Sequence, residues 1–404
     1  MPMKKFALSA AILFAGVPSL AVAQVSNDTV KIGLITDMSG MYSDADGPGG
    51  AEAVRMSIAD YGGLVNGKKI EFVIADHQNK ADIGAAKARE WFDQDGVDMV
   101  IAGPNSSVGL AVAKVAADKK KPFFAIGSTS SRLTNEECTP FTIHYAYDTV
   151  SLSKGIGAAI VADGGKTWFF ITADYAFGTS MEDDTRKVIL ANGGKVLGSI
   201  RAPLGVSDFS SFLLQAQSSG AQVLAMANAG ADTINSIKAA NEFGIDRTMR
   251  IVAMNMYLTD VHALGLPIAK GLYMTDGWYW DANDKTREFG KRFYAKMNKM
   301  PTLLQAADYS AVTTYLNAVK ATGTDGGEKV MEYIKKTPIN DLFAQGGYVR
   351  PDGRMIHDMY LMQVKTPEES KHPWDYFKLV KTIPGEQAAT TKEESRCTLW
   401  TGKS

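Results

Sequence analysis

The sequence predicts an α/β protein made of two doubly wound, parallel-sheet lobes, and three observations lead there. From Val30 onward, short runs rich in Val, Ile and Phe alternate with helical stretches of ten or more residues. After Asp148 the same alternation begins again. The chain has 404 residues, too many for one typical core, and its 38 glycines suit many tight strand–helix turns. Short apolar strands joined through helices are the pattern of a parallel sheet covered on both faces. Two such series predict two sheets.

The first series opens with a strand over Val30–Thr36 (VKIGLIT) and a helix over Gly50–Tyr61. A strand over Ile70–Ala75 and a helix over Asp82–Asp93 follow, the helix with Ala85, Ala88 and Phe92 roughly on one face. Met99–Ala102, a helix from Ser106, and Phe123–Ile126 extend it. The second series runs helix Thr149–Ala162, strand Thr167–Thr172, helix Gly178–Asn192 and strand Lys195–Ile200. It continues with helix Phe209–Ser218, strand Val223–Ala227, helix Ala231–Phe243 and strand Ile251–Met254. After Gly271–Asp276, helices over Thr286–Met297, Gln305–Ala321 and Glu328–Lys336 show no strands between them and read as cover for a sheet already built. The tail beyond Thr366, rich in Lys, Glu, Pro and Thr, reads as a surface segment.

The start of the chain indicates export. Lys4 and Lys5 precede a small, apolar stretch over Phe6–Val22, and Ala21-Val22-Ala23 supplies the small-x-small pattern of a cleavage site. Residues 1–23 are therefore expected to be a signal peptide, placing the mature protein in the periplasm. No later apolar run is long enough to cross a bilayer. In that oxidising compartment the two cysteines, Cys138 and Cys397, are expected to pair, and the tail is then held by Cys397. A formal net charge of −1 lacks the basic excess that attracts nucleic acid.

Enzyme motifs fail on inspection. Gly62-Gly63-Leu64-Val65-Asn66-Gly67-Lys68 approaches a phosphate-binding loop, but Lys69 stands where Ser or Thr should bind magnesium, and the segment precedes a strand. A turn is the better account. Gly155-Ile156-Gly157 opens a dinucleotide pattern that Ile160 breaks. No Gly-x-Ser-x-Gly elbow is present, and the five histidines have no ligand spacing, so neither a catalytic centre, a metal nor a cofactor is expected.

The strand-to-helix loops carry more information. Gly103-Pro104-Asn105-Ser106-Ser107 and Gly127-Ser128-Thr129-Ser130-Ser131 are small, hydroxyl-rich and uncharged. Such residues serve as ordinary helix caps. They also lie at the carboxyl ends of strands, where open α/β sheets bind ligands, and helix starts favour anions. Aromatic residues recur at loop ends in the second series: Tyr147, Tyr175 and Phe177. Asn228 and Asn255, after two further strands, offer partners for a neutral oxygen.

These residues carry a family likeness. The chain resembles the periplasmic solute-binding proteins of ABC importers, of the branched-chain amino-acid type with the type I lobe arrangement. Val30–Gly33 through Ser39-Gly40 resembles the family's opening strand and Leu-Ser-Gly loop, Asn66–Glu71 its Asn-Gly-Lys turn, and Ala173–Gly178 its Tyr-Gly element. Lys371–Tyr376 is similar to a proteobacterial branch of it. The resemblance implies a clamp whose chain crosses between lobes three times, near Tyr147, Asp276 and Arg350. Residues 28–147 and 277–350 would form lobe 1, and 148–276 and 351–404 lobe 2. It implies that a ligand carboxylate is held by Ser106 or Ser107 and by Thr129 and Ser131. Phe177 would be the aromatic of the second lobe, and Tyr42 and Asp46 would border the cleft mouth. One departure stands out: Ala253–Tyr257 has no acid where the family's amino-acid binders place one for the ligand ammonium. A buried ammonium without a carboxylate is costly.

The expected function is therefore that of a monomeric transport receptor. It would close around a small carboxylate, such as an aliphatic or aromatic oxo or hydroxy acid, and present it to the membrane permease of an ABC importer. A branched-chain or other amino-acid or amide binder, and a ligand-sensing subunit of a membrane receptor, are the alternatives. N-terminal sequencing of periplasmic protein should begin at Gln24; material retaining Met1 would refute the leader.

Overall fold

A computed structural model describes residues 26–402 of the protein. The expected leader, residues 1–23, and Gln24 lie outside them. The first sheet contains β1 (Thr29–Thr36), β2 (Leu64–Val65), β3 (Lys68–Asp76), β4 (Met99–Ala102), β5 (Phe123–Ala125) and β6 (Thr142–His144), in spatial order 2-3-1-4-5-6. All its pairings are parallel except β2 with β3. That hairpin turns at Asn66 and Gly67, both at positive φ, so the glycine-rich stretch is a turn and not a phosphate loop. Helices α1 (Gly47–Asp60), α2 (Ala81–Asp93) and α3 (Ser106–Asp118) connect the strands.

The two-residue period of β1 explains how this sheet is covered. Val30, Ile32 and Leu34 enter one core cluster, which also holds Ala53 and Val54 of α1. Ile35 enters another with Ala88, Trp91 and Val108 of α2 and α3. Gly33 lies on that second face because the Trp91 ring occupies the space a Cβ would need, 2.5 Å away.

After α4 (Thr149–Ala162) come β7 (Thr167–Ala173), α5 (Ala176–Ala191), β8 (Lys195–Ala202), α6 (Ser210–Ser218), β9 (Val223–Ala227), α7 (Ala231–Glu242) and β10 (Arg250–Ala253). Their sheet has order 10-9-7-8 and is wholly parallel. Two short helices, α8 (Leu258–Leu264) and α9 (Leu266–Ala269), lead to β11 (Tyr273–Asp276). Helices α10 (Asp284–Met297), α11 (Leu303–Thr322) and α12 (Gly327–Lys336) follow, and α11 lies along α1 of the first lobe.

The last part of the chain holds more strand than its sequence suggests. β12 (Tyr348–Val349) pairs with β13 (Met355–Ile356), and β14 (Met359–Val364) and β15 (Phe377–Ile383) join β11 in an antiparallel sheet. In β15 only Phe377 and Ile383 are buried, with four exposed residues between them. No hydrophobic alternation marks such a strand, and backbone pairing with β14 defines it. The chain ends with α13 (Gly385–Ala388) and α14 (Thr398–Thr401).

Three chain passages between the two parts lie side by side. Arg354 is 2 % exposed and donates to the carbonyls of His144, Tyr145 and Met355 at 3.0, 3.2 and 2.6 Å. Its guanidinium lies 3.2 Å from the Asp148 carboxylate, which also caps α4 through the Ser151 N–H. His357 Nε2 is 2.6 Å from the Ala146 carbonyl, and its ring closes over Gly277. Burial pulls the Asp148 carboxyl up, but Arg354, His144 and the Ser151 hydrogen bonds outweigh it and hold the carboxyl below its ordinary range. Asp148→Ala should therefore cost about 3–5 kcal/mol, because it strands a buried guanidinium. Urea denaturation of variant and parent measures this; a loss under 1 kcal/mol would refute it.

Candidate functional site between the two sheets

Each parallel sheet reverses its winding direction at one place, and the carboxyl ends of strands flanking such a reversal form a crevice. In the first sheet this is the β1–β4 boundary, and in the second the β7–β9 boundary. Loops 37–46, 103–105 and 127–131 thus face loops 174–175, 228–230 and 254–257. The cavity between them is narrow, about 10 Å³, and is lined by Tyr42, Ser106, Thr129, Phe177, Asn255 and Tyr257, among others.

Two first-sheet loops meet closely here. A Cβ on Gly127 would lie 2.5 Å from the Pro104 nitrogen, so only glycine fits. Asn105, with φ at 100°, caps α3 by accepting from the N–H groups of Ser107 and Val108. The Ser106 hydroxyl accepts from the Ser130 N–H at 3.0 Å, which leaves its own proton to donate. The Thr129 hydroxyl donates to the Gly127 carbonyl at 3.1 Å.

Two phenol pairs stand beside them. Tyr42 and Tyr175 join hydroxyls at 2.6 Å across the cleft mouth, and Tyr147 and Tyr257 do so at 2.8 Å. Asn255 Nδ2 donates to the Tyr257 hydroxyl at 3.2 Å. Burial pushes the Tyr147 phenol up to about 12 and those of Tyr42, Tyr175 and Tyr257 upward as well, so all four are neutral hydrogen-bonding groups. Phe177 contributes an apolar face, its ring centroid 5.9 Å from that of Tyr175.

Several expected site residues do not line this cavity. The Ser107 N–H is spent on Asn105. The Ser131 hydroxyl donates to Asp184 of α5 at 2.7 Å, and its N–H to Thr149 Oγ1 at 3.1 Å. Asn228 is engaged within its own lobe, donating to the Asp232 carbonyl and Ser236 and accepting from Thr233. Asp46 turns inward instead of bordering the mouth. It accepts the Thr36 hydroxyl and faces Asp308, and burial pushes both carboxyls up, so the pair retains a proton. Tyr147 does not line the cavity, but its hydroxyl bonds to that of the lining Tyr257. Conversely, Asn105 and Tyr257 line the cavity and were not expected to; their position beside the seryl loop and Asn255 was the available signal.

No carboxylate lines the cavity among the described residues. The Asp232 carboxyl lies behind the wall, where its charge is felt by Tyr42 and Tyr175. One of its oxygens accepts from the Gly205 N–H at 3.1 Å; the other is buried without a partner. Burial pushes this carboxyl up to about 6. Elsewhere, Asp281, His372 and Asp375 come within metal-binding reach of one another, but Arg287 pairs with Asp281 and Lys365 with Asp375.

Comparison with known proteins agrees with this architecture. The periplasmic binding protein family matches residues 29–371. The chain belongs to that family. A periplasmic binding protein from Burkholderia mallei, known from its crystal structure, is 62% identical and superposes with a TM-score of 0.92 over 92% of this chain and 99% of that one. A branched chain amino acid ABC transporter periplasmic ligand-binding protein from Burkholderia xenovorans is 42% identical, with a TM-score of 0.82 over 92% and 100%. Among curated relatives, the Leu/Ile/Val-binding protein homolog 6 of Brucella melitensis is 27% identical over 246 residues, 60% of this chain. The match spans 61% of that relative's length. A Rhodopseudomonas palustris solute binding protein in complex with 3,4-dihydroxy benzoic acid, 20% identical with a TM-score of 0.80 over 89% and 98%, shares the fold.

The Asp232 carboxyl gives this binding protein a pH signature. Its folded pKa of about 6 lies above the usual value near 3.9, so the protonated form is favoured by folding. Its contribution to stability is full below about pH 4 and is lost as pH rises through about 6. Asp232→Asn should flatten the stability profile between those values; urea denaturation at pH 4, 5 and 7 reads it, and an unchanged slope would count against the assignment.

Proposed function

We propose that this binding protein is a periplasmic transport receptor that closes around a small carboxylate lacking an α-ammonium group and delivers it to an ABC permease. The observation that carries the proposal is the asymmetry of the cleft. Ser106 and Thr129 offer hydroxyls on the first-sheet side, and hydrogen bonds from such groups to a charged oxygen are strong ones. On the other side stand the neutral phenols of Tyr175 and Tyr257, Asn255 and the Phe177 ring, suited to an aliphatic or aromatic body with an oxo or hydroxy group. No lining carboxylate is present among the described residues to neutralise an ammonium.

A second reading, an amino-acid or amide ligand, is favoured by one observation. Asp232 has a partnerless oxygen near Tyr42 and Tyr175, and an ammonium reaching it would convert a costly buried group into a paired one. The names of the Brucella relatives point the same way.

Titration calorimetry on ligand-stripped protein separates the two. Benzoate, 3,4-dihydroxybenzoate and branched 2-oxo acids should bind, while leucine and valine should not; the reverse pattern overturns the proposal. A micromolar solute at a hundred times its dissociation constant should add about 2.7 kcal/mol of stability, enough to move a melting curve. Ser106→Ala should cost about 1.5–3 kcal/mol of binding, since its proton is already free to donate. Thr129→Ala should cost less, because its hydroxyl must first leave the Gly127 carbonyl.

A further inference from the structure

The segment after β15 touches both halves of the molecule. Cys397 is bonded to Cys138 at the edge of the first lobe, and the neighbouring Arg396 is held there by Asn135 and Glu136. Toward the second lobe, Lys154 of α4 donates to the Ala389 carbonyl at 2.7 Å and pairs with Glu394. Between these ends the segment crosses the third chain passage. Arg350 donates to the Thr390 carbonyl at 2.7 Å, and its guanidinium lies 3.9 Å from the centre of the Trp400 ring.

A cavity of about 680 Å³ lies beneath this segment, bounded by Ser131 and Asn135 on one side and by Val150, Lys154 and Asp184 on the other. Close-packed interiors transmit displacement directly, whereas a space of this size lets its walls shift relative to one another. The disulfide lies nine residues after Thr129 in the chain, so the anchored loop continues directly from a ligand loop.

We propose that residues 385–402 form a disulfide-locked strap across the flank of the hinge, which limits how far the two lobes separate and is released when Cys138–Cys397 is reduced. The three chain passages are then joined by a fourth connection, covalent at one end and held by Lys154 and Arg350 along its length. Opening the cleft must move Asn135 relative to α4, and an intact strap resists that movement. Release requires a dithiol reductant. The reductant supplies two electrons and two protons, Cys138 and Cys397 become thiols, and the reductant becomes a disulfide. Cys138 is only partly buried, which gives such a reagent access. The inference does not depend on the identity of the solute.

The test uses the whole mature protein without added solute, before and after dithiothreitol, with thiols counted by mass and folding followed by circular dichroism. Small-angle X-ray scattering should show a larger radius of gyration and a broader distance distribution after reduction. Amides at 146–149 and 350–357 should exchange about tenfold faster, since sub-global opening is what the bond restrains. The Cys138→Ser/Cys397→Ser double variant should match the reduced protein without reductant. Two free thiols with unchanged scattering would overturn the proposal, as would faster exchange confined to 385–402. Global unfolding on reduction would overturn it too, because the bond would then hold the fold and not the opening.

Discussion

Arg354 carries a full charge where water does not reach, and much of the central architecture answers to that. Moving a guanidinium into a low-dielectric interior costs several kcal/mol unless it is paired; here one terminal nitrogen serves three carbonyls, and Nε lies 3.2 Å from Asp148 as an ion pair without a formed hydrogen bond. The acceptors come from separate stretches of chain: the carbonyls of His144 and Tyr145 at the end of β6, the Asp148 carboxylate at the start of α4, and the Met355 carbonyl of its own segment. Pairing one side chain thus ties together the end of the first sheet, the start of the second series and the returning chain. The two histidines beside it stay neutral for the same reason. Burial, and then the repulsion of Arg354, pushes His357 down to about 4; burial likewise pushes His144 down to about 4, with Arg354 opposing the attraction of Asp148.

Across the cleft the chemistry is of another kind. Tyr42 with Tyr175, Ser130 with Ser180, and Ser131 with Asp184 link the two sides through hydroxyls. The two hydroxyl–hydroxyl bonds contribute about 1 kcal/mol each and the Ser131 bond to the Asp184 carboxylate about 1.5–3 kcal/mol, so together they hold the sides by only about 4–5 kcal/mol. A difference of that size is within what one small ligand can tip, since a shift from 1:99 to 99:1 needs about 5.5 kcal/mol. Strong charge compensation at the base and a few hydroxyl contacts across the cleft are what a clamp requires: a fixed hinge and walls whose balance a solute can decide.

The fold was legible because both parallel sheets advertise themselves. The central strands β1, β4, β7 and β9 are buried on both faces and read as largely apolar runs, and the helices between them are long enough to count. The cleft was legible for a topological reason, since loops after parallel strands must converge at the winding reversals. What sequence could not supply was side-chain direction past the last strand residue, where the two-residue period no longer applies. Thr129 faces the cavity and Ser131, two positions on, turns to Asp184. Asn105 at positive φ swings the start of α3 so that Ser106, not Ser107, faces inward. Asp46 was expected to border the cleft mouth, but Thr36 and Asp308 hold its carboxyl in the interior. β15 was invisible for the opposite reason, since an exposed strand leaves no hydrophobic trace. The cysteine pair was readable from compartment and number, but nothing in the sequence said that the tail it anchors also reaches α4.

Bookkeeping of the donors around the ligand loops explains why the cleft leans on hydroxyls. A helix start ordinarily offers several free N–H groups to an anion. Here Asn105 has taken those of Ser107 and Val108, Ser106 Oγ that of Ser130, and Thr149 Oγ1 that of Ser131. Much of the positive end of α3 is therefore already satisfied internally. The Ser106 hydroxyl, used only as an acceptor, becomes a donor aimed from a rigid loop, and Gly127 lets the Thr129 loop approach it without a side chain between. Because that donor set is neutral, it stabilises a carboxylate by hydrogen bonding without a counter-charge, and the net charge of the closed cleft then follows the solute. Asp232, behind Tyr42 and Tyr175, and Asp260, behind Tyr257, are buried carboxyls close enough to feel this. An anionic solute would favour their protonated forms and a cationic group their ionised forms, so both couple solute charge to proton uptake.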